Sequence, residues 1–433
     1  MAIESSIDLR KLTIYSIFIR NFSDEGTFKG VIPELERIKE MGVDMIWFLP
    51  HYPLGELKRK GKEGSPYAIK DYRGFNEAFG TREDFQALVE AIHQLEMKVM
   101  IDIVFNHTSP DSLLSQEHPE WFYRKPDGHF GNHIGEWTDV IDLEYQGNDA
   151  LWNYQIETLV AYAKIVDGFR CDVASLVPLE FWLKARQVVA EANPDFIWLA
   201  ESVEPAFILE TRRQGITGLS DSEVYQAFDL TYDYDINHYF LAYLRGEIAL
   251  SRYIESIRQQ FWTYPANFTK LRFLENHDQE RIAGKIQSHH SLKQLTAFNF
   301  FLRGAHLIYN GQEVQADHLP SLFDHDLIDW NWERDFSKEI QRFIQLKKEL
   351  VPVSGPFEMG ADDELEAVWM RYQDINRQVI GVFALNQNKK GEIEVPIEDG
   401  NYENQYNHQE VRVKNGKMRL EQDPIYLQTT IPS

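Results

Sequence analysis

The chain has 433 residues, 43% hydrophobic and 26% charged, the composition of a globular protein able to bury a large core. Its net charge of -24, from 44 basic against 68 acidic residues, argues against a nucleic-acid partner, which needs a basic face to displace counterions. No apolar run approaches the roughly 20 residues of a membrane span, the start MAIESSIDLRKL has no apolar leader core, and the lone Cys171 has no partner for a disulfide. A cytoplasmic protein without membrane contact is therefore expected, with its oligomeric state unreadable.

Short β-rich apolar runs alternate with amphipathic stretches along the first 350 residues. In chain order the runs are Leu12 to Arg20 (LTIYSIFIR), Val43 to Pro50, Lys98 to His107 (KVMIDIVFNH) and Val166 to Ala174. Four more follow: Phe196 to Ser202, a weaker one at Ala227 to Tyr234 (AFDLTYDY), Lys270 to Asp278 (KLRFLENHD) and Ala305 to Glu313. Helical patterns such as VIPELERIKEM, REDFQALVEAIHQLEM, LEFWLKARQVVAEA and KEIQRFIQLKKEL lie between them. Eight strands interleaved with helices predict an α/β fold, a closed (β/α)8 TIM barrel.

One connection is long and turn-rich. Residues 108–147 carry Pro, Gly, Asp and Asn at turn positions and predict an insertion subdomain at the barrel mouth after strand 3. Its Trp121, Phe122, Tyr123 and Trp137 suit either sugar stacking or a small core of their own. After about Val351 the pattern becomes short alternating strands with Asn and Gly turns, which predicts an antiparallel β-sandwich. The expected domains are thus a catalytic barrel at 1–107 and 148–350, the insertion at 108–147, and an all-β domain at 351–433.

Acids recur at the ends of the predicted strands: Asp102, Asp172, Glu201 and Asp278. Barrel active sites form at such ends, and a closed barrel brings them to one mouth although 29 residues separate Asp172 from Glu201 and 77 separate Glu201 from Asp278. The alternative for any single acid is a helix cap or a local ion pair. Several acids at successive ends, accompanied by His107, His277 and Arg170, favour a site. Glycosidic cleavage needs one ionised carboxylate as nucleophile and one protonated carboxylic acid as donor. Arg170 stands two positions before Asp172, so strand alternation puts both side chains on one face, where the cation favours the charged carboxylate. Glu201 follows the apolar FIWLA, and neighbouring acids would push its proton affinity up.

Four segments in order resemble the α-amylase family of glycoside hydrolases: DIVFNH (Asp102 to His107), GFRCDVAS (Gly168 to Ser175), WLAE (Trp198 to Glu201) and FLENHD (Phe273 to Asp278). SPYAIKDYRGFNEAFGT (Ser65 to Thr81) and LIYNGQE (Leu307 to Glu313) support the resemblance, which covers essentially the whole chain. It implies Asp172 as nucleophile, Glu201 as general acid/base and Asp278 as the carboxylate that holds sugar hydroxyls. It further implies that Arg170 orients the nucleophile, that His107 and His277 bind the sugar, and that Tyr67 stacks beneath it, with Asp102 and Asn106 in support. The implied mechanism is retaining double displacement, with the two carboxyl groups about 5–5.5 Å apart.

The chain departs from the family in one place. A Lys-His pair common after the nucleophile is replaced by Ser175 and Leu176, which puts acceptor-side binding and a structural calcium in question. Asn106 remains, and Asp111, Asp127, Asp139 and Asp142 lie in the insertion. The expectation is no cofactor and no metal, with calcium as the open alternative. The expected substrate is an α-1,4-linked maltooligosaccharide or maltodextrin. The other readings are a transglycosylase or phosphorolytic relative using the same acids, and a non-catalytic sugar binder, which would be expected to have lost them.

Overall fold

The computed structural model describes residues 4–430. The outermost ends of the expected first and last domains therefore lie outside the described residues. Among the described residues, no helix is long and apolar enough to cross a membrane.

Eight parallel strands close into a barrel in sequence order: β1 (Thr13–Ile17), β2 (Met45–Phe48), β3 (Lys98–Ile103), β4 (Gly168–Cys171), β5 (Ile197–Ala200), β6 (Leu230–Tyr232), β7 (Lys270–Arg272) and β8 (Ala305–Tyr309). Nearly every strand residue is buried, as in a parallel sheet covered on both faces. That is why the runs read as continuous apolar text rather than alternation. The weak AFDLTYDY run yields the short β6, set beside β5 with Leu230 opposite Leu199.

The helix Arg82–Gln94 illustrates the connections. Thr81 and Asp84 form a capping box at its start, and Phe85, Leu88, Val89 and Ile92 form its buried stripe.

By packing, the chain divides into two compact units. One comprises Ile14–Asp235 with Leu319–Asp329, and the other Ser6–Thr13, Ile236–His318 and the chain from Trp330 onward. In the first unit the insertion carries a helix (Leu113–Glu117) and a small ribbon pairing His107–Thr108 with Ile141–Asp142. Trp121, Phe122, Val140, Ile141 and Leu143 are buried, so the subdomain has its own core and spends Trp121 and Phe122 on it. Trp137 stays half-buried, its ring 5.5 Å from that of His107.

The second unit ends in two four-stranded antiparallel sheets. One runs β9 (Phe357–Asp362), β10 (Ala367–Gln373), β11 (Arg377–Ala384), β16 (Ile425–Thr430); the other runs β12 (Glu392–Glu394), β15 (Lys417–Arg419), β14 (Glu410–Lys414), β13 (Gly400–Glu403). Ile380, Val382 and Leu427 from the first sheet join Ile393, Val411, Val413 and Met418 from the second in one core, which makes a sandwich. β14 alternates exposed and buried along EVRVK, as a half-solvated strand must.

Candidate active site

Three adjacent strands build the centre. Asp102 on β3 lies opposite Arg170 on β4, while Asp172 and Glu201 come directly after the last residues of β4 and β5. The strand ladder holds the backbone of both acids: the Asp172 amide donates to the Ile103 carbonyl (2.8 Å) and the Glu201 amide to that of Cys171 (3.0 Å).

One guanidinium serves three carboxylates. Arg170 Nη1 lies 2.8 Å from Asp102 Oδ1 and 2.8 Å from Asp172 Oδ1, and Nη2 lies 2.9 Å from Glu201 Oε2. Its Nε donates to the Tyr232 hydroxyl (3.2 Å), and the rings of Trp47, Tyr67 and Tyr232 surround the cation at 5.3, 5.6 and 5.5 Å. Burial opposes the charge of Arg170, but Asp102 and Glu201 outweigh it and raise its pKa well above the usual value. Burial pushes Asp102 up to about 7 against the pull of Arg170. A single cation cannot neutralise three acids in a dry site, so the most desolvated one holds on to its proton longest.

The remaining first-unit residues close round this group. The Tyr67 hydroxyl donates to Asp102 Oδ2 (3.3 Å). His107 Nε2 lies 3.9 Å from Asp172 Oδ2, and burial lowers its pKa, which favours the neutral ring. The Asn106 side-chain amide lies 3.1 Å from His107 Nδ1. Val173 sits in the left-handed region at φ 36°, ψ 45°, costly for a β-branched residue. Its N–H donates to Glu201 Oε2, 2.7 Å away.

In the second unit, the segment after β7 carries the other two candidates. His277 is buried with Nε2 3.1 Å from Asp278 Oδ2, and the Asp278 side chain is 40% exposed. Asn276 Oδ1 accepts the Asp278 amide (2.9 Å). The segment is anchored by a buried pair, Arg281 Nη1 to Glu275 Oε1 (2.7 Å), with Arg281 also donating to the Asn310 carbonyl (2.8 Å).

Tyr67, Asp102, Asn106, His107, Arg170, Asp172 and Glu201 thus lie together in the first unit, while His277 and Asp278 adjoin each other in the second. Sequence reasoning missed Trp47, Tyr232 and Val173. The first two had a usable signal, as large polar-tipped aromatics on barrel strands. Val173 had none, because nothing local demands a positive φ there.

Each of the insertion's aspartates already has a protein partner. Asp111 accepts the Glu56 amide (2.9 Å), Asp127 the His129 amide (3.0 Å), and Asp139 pairs with Lys60 (2.8 Å). Asp142 takes the amide and Nδ1 of His133 (2.7 and 2.8 Å), while its Oδ1 and that of Asp111 are buried without a hydrogen-bond partner. Calcium takes six to eight oxygens. Among the described residues, no three His, Cys, Asp or Glu gather as a metal cluster.

Comparison with known proteins agrees with this geometry. The family model for the α-amylase catalytic domain matches residues 13–158 and 120–349, and that for the bacterial α-amylase C-terminal domain matches 358–427. The chain is 44% identical to an α-amylase from Lactobacillus plantarum of known structure, covering 98% of this chain and 100% of that one with a TM-score of 0.93. It is 32% identical to the maltogenic α-amylase AmyB from Thermotoga neapolitana, covering 98% and 100% with a TM-score of 0.86. The chain belongs to the α-amylase family, with a (β/α)8 barrel and a C-terminal β domain.

Among further relatives, an α-1,4-glucan:maltose-1-phosphate maltosyltransferase from Pseudomonas aeruginosa is 32% identical over 49% of this chain and 35% of that protein. The chain spans between 35% and 40% of the length of the first such maltosyltransferases it matches.

Proposed function

We propose that the protein is a retaining glycoside hydrolase that cleaves α-1,4-glucosidic bonds in maltooligosaccharides. Asp172 attacks the anomeric carbon while Glu201 gives its proton to the leaving glycosidic oxygen, so the C–O bond breaks as the Asp172 ester forms. Glu201 then takes a proton from water, whose oxygen displaces Asp172 and restores both groups. Asp278, His277 and neutral His107 hold sugar hydroxyls, and Tyr67 provides the stacking face.

The observation that carries this reading is the sharing of Arg170. Nη1 hydrogen-bonds Asp172 and Nη2 lies 2.9 Å from Glu201 as an ion pair, so one cation sits between the nucleophile and the acid/base.

The test is the product of maltotriose and maltoheptaose cleavage, with anomeric configuration followed by NMR. The expected first product is the α-anomer, and Asp172→Asn should lower turnover at least ~10^4-fold with the fold intact. A β-anomer, or near-normal turnover by the variant, would overturn the assignment.

A second reading, glycosyl transfer, is favoured by the likeness to the maltosyltransferase. There the same ester is captured by a sugar hydroxyl or phosphate. Chromatography of maltotriose reactions with and without phosphate separates the two: products longer than the substrate, or a sugar phosphate, mark transfer.

A further inference from the structure

The stretch from Asp102 to His107 carries three site residues, and it leaves the barrel sheet on the way. β3 ends at Ile103, and the ribbon begins at His107. All six residues are buried, so each of their carbonyls needs a donor from the protein. Main-chain amides serve two of them: Asp172 donates to Ile103 (2.8 Å) and Leu143 to Asn106 (3.0 Å). Tyrosine hydroxyls serve the other four. Tyr52 donates to the Asp102 carbonyl (2.8 Å), Tyr145 to that of Phe105 (2.7 Å), and Tyr72 to those of both Val104 and His107 (2.7 Å each).

The three tyrosines come from separate parts of the first unit. Tyr52 follows β2, Tyr72 lies in the DYRG text before the helix Arg82–Gln94, and Tyr145 stands at the end of the insertion. Their rings are held in place. Tyr72 packs edge-on against Phe105 (5.3 Å, 84°) and Tyr52 (6.4 Å, 80°), and Tyr145 against Phe181 (5.0 Å, 63°). The Tyr162 hydroxyl donates to the Tyr72 carbonyl (3.3 Å), which fixes the base of that ring. Burial pushes all three hydroxyls well above the usual tyrosine value, so they keep their protons and remain donors.

Tyr72 has the largest hold. A hydroxyl carries one proton. Tyr72 shares it between two carbonyls three residues apart and so pinches residues 104–107 into a turn around its oxygen. The pinch sets where the His107 backbone lies, and the imidazole projects from there to within 3.9 Å of Asp172. Filling the space beside this turn needs only an apolar ring, which phenylalanine would supply. Orienting the carbonyls needs the hydroxyl.

We infer that Tyr72, supported by Tyr52 and Tyr145, is a positioning residue for the reaction: it acts through His107 by holding that imidazole against the nucleophile. This rests on the glycosidase reading above. The test is a double-mutant cycle on maltotriose, with kcat/KM measured per folded enzyme for wild type, Tyr72→Phe, His107→Ala and Tyr72→Phe/His107→Ala. Tyr72→Phe is expected to lose about tenfold in the wild-type background and nothing further once His107 is gone, because a displaced reacting group costs rate steeply. An equal loss in both backgrounds, or no loss in either, would overturn the inference. Should Tyr72→Phe fail to fold, Tyr145→Phe, which frees a single carbonyl, takes its place in the cycle, with about a threefold loss that must likewise vanish without His107. Wild type inactive on maltotriose would overturn the glycosidase reading instead. The positioning is then decided by NMR of protein with 13C-labelled histidine, in which the His107 ring signal is the one absent from His107→Ala. A shift of that signal in Tyr72→Phe supports the inference, and an unmoved signal ends it.

Discussion

Two buried arginines do opposite things in this molecule. Arg281 meets Glu275 one to one, with both side chains sealed from water and the Ile282 amide completing the carboxylate's shell. Burial raises the Glu275 pKa, but the pair is balanced. Arg170 is equally sealed yet meets Asp102, Asp172 and Glu201. The first arrangement fixes a loop. The second leaves surplus negative charge in a dry pocket, a state that costs stability.

The sharpest way to break this contrast is Arg170→Lys. An ammonium keeps the charge but loses the planar fork that serves two acids at once, so kcat should fall ~10^2- to 10^3-fold. A near-normal rate in steady-state assays would reduce Arg170 to a counterion like Arg281. At the balanced pair, Glu275→Ala strands a buried guanidinium and should cost ~3–5 kcal/mol in urea unfolding, with the folded fraction keeping most of its turnover. A loss confined to kcat would merge the two cases.

Asp102 gives a smaller, pH-dependent signal. Its folded value is raised from the ordinary carboxylate value of about 4 to about 7, so between those limits the folded state holds a proton that the unfolded chain has released. Stability contributed by that proton is full below about pH 4 and is lost as pH rises through about 7. Asp102→Asn should flatten the decline in urea midpoint between pH 4 and 7, and an unchanged slope would show that another group titrates there. The smallest effect is expected from EDTA, which should leave melting temperature and activity unaltered, because Lys60 and backbone amides already occupy the insertion's carboxylates. A clear drop would reveal a bound cation.

The eight strands, the long insertion and the terminal β domain were legible because each leaves a local mark: an apolar run, a cluster of turn residues or a period of two. The same period set Arg170 and Asp172 on one face before any fold was known. Trp121 and Phe122 were ambiguous, since an aromatic that fills a small core and one that stacks on sugar look alike in a row of letters; burial separated them from Trp137.

Local text determined which residues could carry charge to a strand end and in what order those ends arise. Only closure of the barrel decided that Glu201 would share the guanidinium with Asp172, that Trp47 and Tyr232 would enclose it, and that the Val173 amide would meet Glu201. Strand periodicity acts over neighbouring residues. Burial and charge pairing act over distances that the chain spans only after it has folded.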